Sequence, residues 1–108
     1  MSVLSYNSQG DLTMDDRNLS DFTTAGPAYV YSRSGIKKRL EAYLATISAA
    51  IPNFGVHYAV KANHHPEILK IFSQAGIGLD VVSGGELNRG LAAGFGLDFI
   101  PCLSIYMI

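Results

Sequence analysis

The chain predicts an α/β fold with parallel strands. Short β-branched and aromatic runs alternate with longer stretches whose apolar residues recur every three or four positions, glycine and proline punctuate the changes, and the connections are a few residues long. Successive strand-helix units joined so tightly imply parallel strands and right-handed crossovers.

Taken in order, residues 1–26 are polar and turn-rich, with Asn7, Gln9-Gly10-Asp11 and Asp15-Asp16 separating short apolar groups. They predict a lead-in segment with at most one or two brief strands. From residue 27 to 108 the pattern is that of the main domain. Ala28-Tyr29-Val30-Tyr31, set between Gly26-Pro27 and Ser32, predicts the first core strand. Ser34 is then placed to cap a helix whose apolar stripe is Ile36, Leu40, Tyr43, Leu44, Ile47 and Ile51, ended by Pro52-Asn53.

Gly55 to Val60 predicts a second strand. Ile68, Leu69, Ile71, Phe72 and Ala75 give a second helix, stopped by Gly76. A third strand is expected from Gly78 to Val82. Ser83-Gly84-Gly85-Glu86 then matches a capping box, in which the serine accepts from the amide three residues on and the glutamate returns to the serine amide. Leu87, Leu91 and Ala92 supply the apolar side of a third helix closed by Gly94, and Leu97 to Ile100 begins a fourth strand.

Composition narrows the function classes. With 108 residues the chain allows one modest domain, well short of the roughly 250 residues of a complete (β/α)8 barrel. Apolar residues make up 48% and charged residues 16%, which argues for a core-forming chain. A net charge of −1 leaves no basic footprint for nucleic acid. No apolar run reaches the length of a membrane span, and no secretory signal pattern opens the chain. The single cysteine, Cys102, cannot form an internal disulfide. These readings place the protein in the cytoplasm.

The chemistry concentrates at Val56-His57-Tyr58-Ala59-Val60-Lys61-Ala62-Asn63, an apolar strand that ends on a lysine. Alternation puts His57, Ala59 and Lys61 on one face and Val56, Tyr58 and Val60 on the other. If the strand belongs to a parallel α/β barrel, an inward lysine at its carboxyl end is expected to be partly desolvated, which favours its neutral, nucleophilic amine. The plainer reading is a solvated cation at a strand end.

Tyr58-Ala59-Val60-Lys61-Ala62-Asn63 and Leu79-Asp80-Val81-Val82-Ser83-Gly84-Gly85-Glu86-Leu87, read together, resemble the two N-terminal signatures of the fold-type III pyridoxal-phosphate decarboxylases. The likeness is greatest to the members acting on meso-diaminopimelate. Pro27-Ala28-Tyr29-Val30-Tyr31 is similar to the family's first barrel strand. The resemblance spans roughly residues 25–97. It implies the first three to four units of an incomplete (β/α)8 TIM-type barrel, with pyridoxal 5'-phosphate bound by Lys61 as a Schiff base. Ala59 matches a small residue beside the cofactor ring, and Asp80 an acidic residue close enough to Lys61 to influence its charge. The implied reaction converts meso-diaminopimelate to lysine with loss of carbon dioxide, and the implied assembly of the whole protein is a homodimer. Two alternatives stay open: a decarboxylase of the same fold acting on ornithine, arginine or carboxynorspermidine, and a non-catalytic pyridoxal-phosphate-binding or interaction remnant.

The segment 99–108 does not resemble the family's next strand, and the later barrel and β domain have no counterpart. The expectation is a truncated piece, with residues 1–26 belonging beside the missing β domain and with little activity on its own. Elsewhere the plainer readings are expected. His57 reads as a packed core histidine, His64 and His65 lack partners at metal-ligand spacing, and no metal site is predicted. Gly84-Gly85 reads as close packing at a helix start, Ser83 and Glu86 as the capping box, and Lys37-Lys38-Arg39 as a solvated helix face.

Overall fold

The computed structural model describes residues 3–100, which divide between residues 46 and 47 into two compact units. The tail from Pro101 onward, including Cys102, lies outside the described residues.

The first unit opens with an antiparallel meander of three short strands: β1 (Leu4–Tyr6), β2 (Leu12–Met14) and β3 (Arg17–Asn18), in that spatial order. Its register pairs Leu4 with Met14 and Tyr6 with Leu12, then Met14 with Arg17. The two residues between β2 and β3, Asp15 and Asp16, both have positive φ, at 49° and 63°. A two-residue hairpin turn that matches the twist of its strands needs this backbone, which aspartate tolerates. The β1–β2 loop is closed by Asn7, whose Oδ1 accepts from the amides of Gln9 and Asp11, each at 2.9 Å. The lead-in thus holds three strands where at most two were expected, because both turns are stabilised by Asn and Asp residues of the loops themselves. A 3-10 turn follows at Leu19–Phe22, and the Arg17 guanidinium lies 4.6 Å from the centre of the Phe22 ring.

Helix α1 (Arg33–Ala50) begins in this unit and runs past residue 46. Its cap is Ser32 rather than the expected Ser34: the Ser32 hydroxyl oxygen accepts from the Gly35 amide at 2.8 Å. Ser34 lies in the first turn and instead donates to Asp15 Oδ1 at 2.9 Å, while Ser32 donates to Asp15 Oδ2. Only Leu40 of the predicted stripe is buried; Ile36, Leu44 and Ile47 are half-buried, and Tyr43 and Ile51 are exposed. The strand expected at Ala28–Tyr31 is absent. No neighbour pairs with it among the described residues, and Tyr29 is 92% exposed. Strand propensity expresses fit to a pleated, half-buried surface, and here that surface is missing.

In the second unit, β4 (His57–Ala59) leads into a 3-10 turn at Val60–Ala62, then α2 (Pro66–Gln74), β5 (Gly78–Asp80), α3 (Gly84–Ala92) and a 3-10 turn at Leu97–Phe99. β4 and β5 pair in parallel, His57 with Gly78, Tyr58 with Leu79 and Ala59 with Asp80, with α2 as the crossover. This β-α-β unit is the part of the predicted parallel alternation that the described residues contain. Both strands are shorter than expected, and the 3-10 turn stands at Leu97–Phe99 where a fourth strand was expected to begin, the rest of which lies outside the described residues.

Val60, Leu69, Leu79, Val81, Ala93 and Phe95 form the core, with Tyr58, Phe72, Leu87 and Ile100 packed against it. Leu69, Leu79 and Val60 are its largest fully buried side chains. α3 meets β5 along Leu87 and Gly90 instead of the expected Leu91 and Ala92, which are exposed. Gly90 explains the rotation: a Cβ there would collide with Leu79 Cδ2, so only glycine lets the helix approach so closely.

Candidate functional site

The carboxyl ends of β4 and β5 bring the predicted site residues to one edge of the second unit. Alternation gives each strand two faces. Tyr58, Val60, Leu79 and Val81 belong to the core, whereas His57, Ala59, Asp80 and Val82 are exposed or half-buried. Ala59 and Asp80 are direct register partners, so a small side chain and a carboxylate lie side by side on the open face. Lys61 follows Ala59 by two residues and is exposed, on the 3-10 turn rather than on the strand. The expected partial desolvation of Lys61 is therefore not found among the described residues, and His57 is exposed instead of packed in the core. Both residues lie outside the core cluster, which takes its side chains from the other face of the two strands.

The lysine turn is tied to its surroundings by a chain of hydrogen bonds and one ring stack. The Tyr58 hydroxyl donates to the Asn63 carbonyl at 3.0 Å, closing the backbone across Lys61. The Asn63 side-chain oxygen accepts from the His65 amide at 3.0 Å. His65 Nδ1 in turn accepts from the Glu67 amide at 3.2 Å and so caps α2, with Pro66 at its first position. The Tyr58 ring stacks on Phe72 of α2, with centroids 4.0 Å apart and an interplanar angle of 12°. Sequence reasoning missed these roles. The Asn63-His64-His65-Pro66 run did hold a signal, since an Asn shortly before a helix-initiating proline is a side-chain-to-backbone turn former.

Beyond β5, Ser83 caps α3 as predicted, its hydroxyl oxygen accepting from the Glu86 amide at 3.2 Å. The return bond differs from the expected one: Glu86 Oε2 accepts from the amide of Val82 at 2.6 Å, one residue before the serine. Ser83 and Glu86 thus fix the chain that leaves Asp80 and turns into α3.

Comparison with known proteins identifies the family. Residues 34–103 match the family described as pyridoxal-dependent decarboxylase, pyridoxal binding domain. That stretch is well over half of the chain, and the protein belongs to this family.

Several relatives carry the name diaminopimelate decarboxylase. That of Aquifex aeolicus is 41% identical over 87 residues, covering 79% of this chain and 20% of the relative. That of Neisseria meningitidis serogroup B is 50% identical over 68 residues, covering 63% and 16%. The Archaeoglobus fulgidus protein is 38% identical over 95 residues, covering 86% and 22%. A crystal structure of an Aquifex aeolicus protein superposes with a TM-score of 0.78 at 38% identity, covering 91% of this chain and 24% of that one. The chain therefore spans about a fifth of the length of these relatives.

The residues present fit the family's cofactor. Lys61 offers an exposed side chain at the end of β4, and at the same strand ends the small Ala59 and the carboxylate-bearing Asp80 are register partners. Among the described residues, no helix is long and apolar enough to cross a membrane.

Proposed function

We propose that Lys61 is the lysine that binds pyridoxal phosphate covalently, in a protein that decarboxylates meso-diaminopimelate to lysine. The observation that carries this reading is the registered pair Ala59 and Asp80 at two parallel strand ends, with Lys61 two residues further on. An unprotonated Nζ is the form able to bond an aldehyde carbon. Ala59 leaves room for a flat ring beside that bond, and the Asp80 carboxylate favours a proton or cation held on the same face. When bound, the cofactor supplies a sink for the electron pair left on the substrate's α-carbon as its carboxylate departs as carbon dioxide. The names of the relatives support the substrate assignment.

In this reading residues 27–108 are the opening three to four units of a (β/α)8 barrel whose strand ends build the site. Residues 1–26 are a lead-in to a β domain, and the assembled protein is a cytoplasmic homodimer.

Borohydride reduction in the presence of pyridoxal phosphate, followed by peptide mapping, tests the site. Label concentrated on Lys61 is expected; label shared with Lys37, Lys38 and Lys70 sinks the assignment. Carbon dioxide release from meso-diaminopimelate, compared with ornithine and arginine, tests the substrate in the protein that contains these residues.

A further inference from the structure

We infer that Tyr58 is a positioning residue for Lys61, acting from the face of β4 opposite the open one. This rests on the proposed role of Lys61. Tyr58 neighbours Ala59 in sequence but points the other way, into the core against Phe72. From there its hydroxyl reaches around the strand end to the Asn63 carbonyl. That bond spans the 3-10 turn, so the backbone bearing Lys61 is closed at both ends: by β4 on one side and by the Tyr58 hydroxyl on the other. Asn63 extends the closure to α2 through its side-chain oxygen on the His65 amide. The stacked ring fixes where the hydroxyl sits, and the hydroxyl fixes where the turn sits. An exposed lysine on a short 3-10 turn has no packing of its own to orient it. The position of the turn that carries it, two residues beyond Ala59, is inherited from Tyr58.

The ring and the hydroxyl separate cleanly by mutation. Tyr58→Phe keeps the aromatic ring that stacks on Phe72 and removes the hydroxyl with its bond to Asn63, whereas Tyr58→Leu removes ring and hydroxyl together. Two measurements are made on the parent and on each variant: amide hydrogen exchange across residues 60–65, and the fraction of reductively trapped pyridoxal phosphate found on Lys61. The exchange readout needs no cofactor, so it judges Tyr58 even if Lys61 proves not to be the trapped lysine. Tyr58→Phe is expected to speed exchange of the turn amides and of His65 about five-fold, the equilibrium worth of one hydrogen bond, while amides of β5 and α3 keep their rates. The Lys61 share of the label, relative to Lys70, is expected to fall by a similar factor. Unchanged exchange at residues 60–65 in Tyr58→Phe overturns the inference. So does faster exchange spread evenly over the second unit, because that marks a general stability role. Label that is not selective for Lys61 in the parent overturns the cofactor assignment alone.

Discussion

Replacing Gly90 by alanine sets two known effects against each other. Alanine at an interior helical site is favoured over glycine by about 1 kcal/mol. Here the added methyl meets Leu79 Cδ2, and Leu79 is fully buried among Val60, Leu69, Val81, Ala93 and Phe95. Such overpacking costs about 1–3 kcal/mol, because the displaced group has no free volume to enter. The collision prevails, and Gly90→Ala is expected to destabilise the chain by about 1 kcal/mol net. Urea unfolding followed by far-ultraviolet circular dichroism measures it. Gly85→Ala is the control: the nearest atom to its Cβ is Ser83 Oγ at 3.9 Å, so propensity acts there without a clash. The collision has a second signature. Adding Leu79→Val to Gly90→Ala removes the displaced methyl, so the double variant is expected to be more stable than the sum of the two single effects by about 1 kcal/mol. A Gly90→Ala variant at least as stable as the parent would falsify the account of how α3 seats on β5.

Other consequences can be measured in the same way. Ser32→Ala removes the cap of α1 and is expected to cost about 1–2 kcal/mol, whereas Ser34→Ala costs clearly less; equal losses in urea unfolding contradict the assignment of Ser32 as the cap. Hydrogen bonds from Ser32 and then Ser34 hold the Asp15 carboxyl below its ordinary value of 3.8. A depressed acid stabilises the fold above its unfolded pKa and loses that contribution as pH falls through the folded value. Stability of the parent should therefore fall below about pH 4, and Asp15→Asn, which keeps a residue tolerant of positive φ, should flatten that decline; parallel pH profiles refute the link. Lys61→Ala is expected to abolish the selective label while changing unfolding stability by less than about 0.5 kcal/mol, because the side chain is exposed. A large loss of stability would make Lys61 a structural residue.

What sequence made legible follows the range of the forces involved. The capping serine of α3, the glycine stops at Gly76 and Gly94, and the apolar stripe of α2 from Ile68 to Phe72 depend on neighbours within a few residues and are found; Ala75, the last residue expected in that stripe, is exposed past the helix end. The two faces at 56–61 also hold in burial, since Val60 is buried and Lys61 exposed. Strand character at Ala28–Tyr31 depends on a distant ladder partner, and without one the aromatic run stays irregular. The stripe of α3 was read one step off, because apolar content favoured Leu91 over Gly90 when closeness to Leu79 decided the contact. At the proposed site, Lys61 is legible as a lysine ending an apolar strand, and Ala59 and Asp80 through the family signatures that they share with it. Tyr58, Asn63 and His65 did not, because they act through backbone carbonyls and amides that a sequence does not display.

The contacts that shape the lysine turn also bear on the order of folding. Tyr58 to Asn63, Asn63 to His65 and His65 to Glu67 join residues at most five apart. The pairing of β4 with β5 joins residues 21 apart and waits on α2. Loop closure favours the shorter contacts, so the turn can assemble before the sheet that presents it. All the residues whose contacts shape the turn, Tyr58 to Phe72, precede β5 in the chain. The local geometry around the lysine is thus written into one short stretch, from Tyr58 to its stacking partner Phe72.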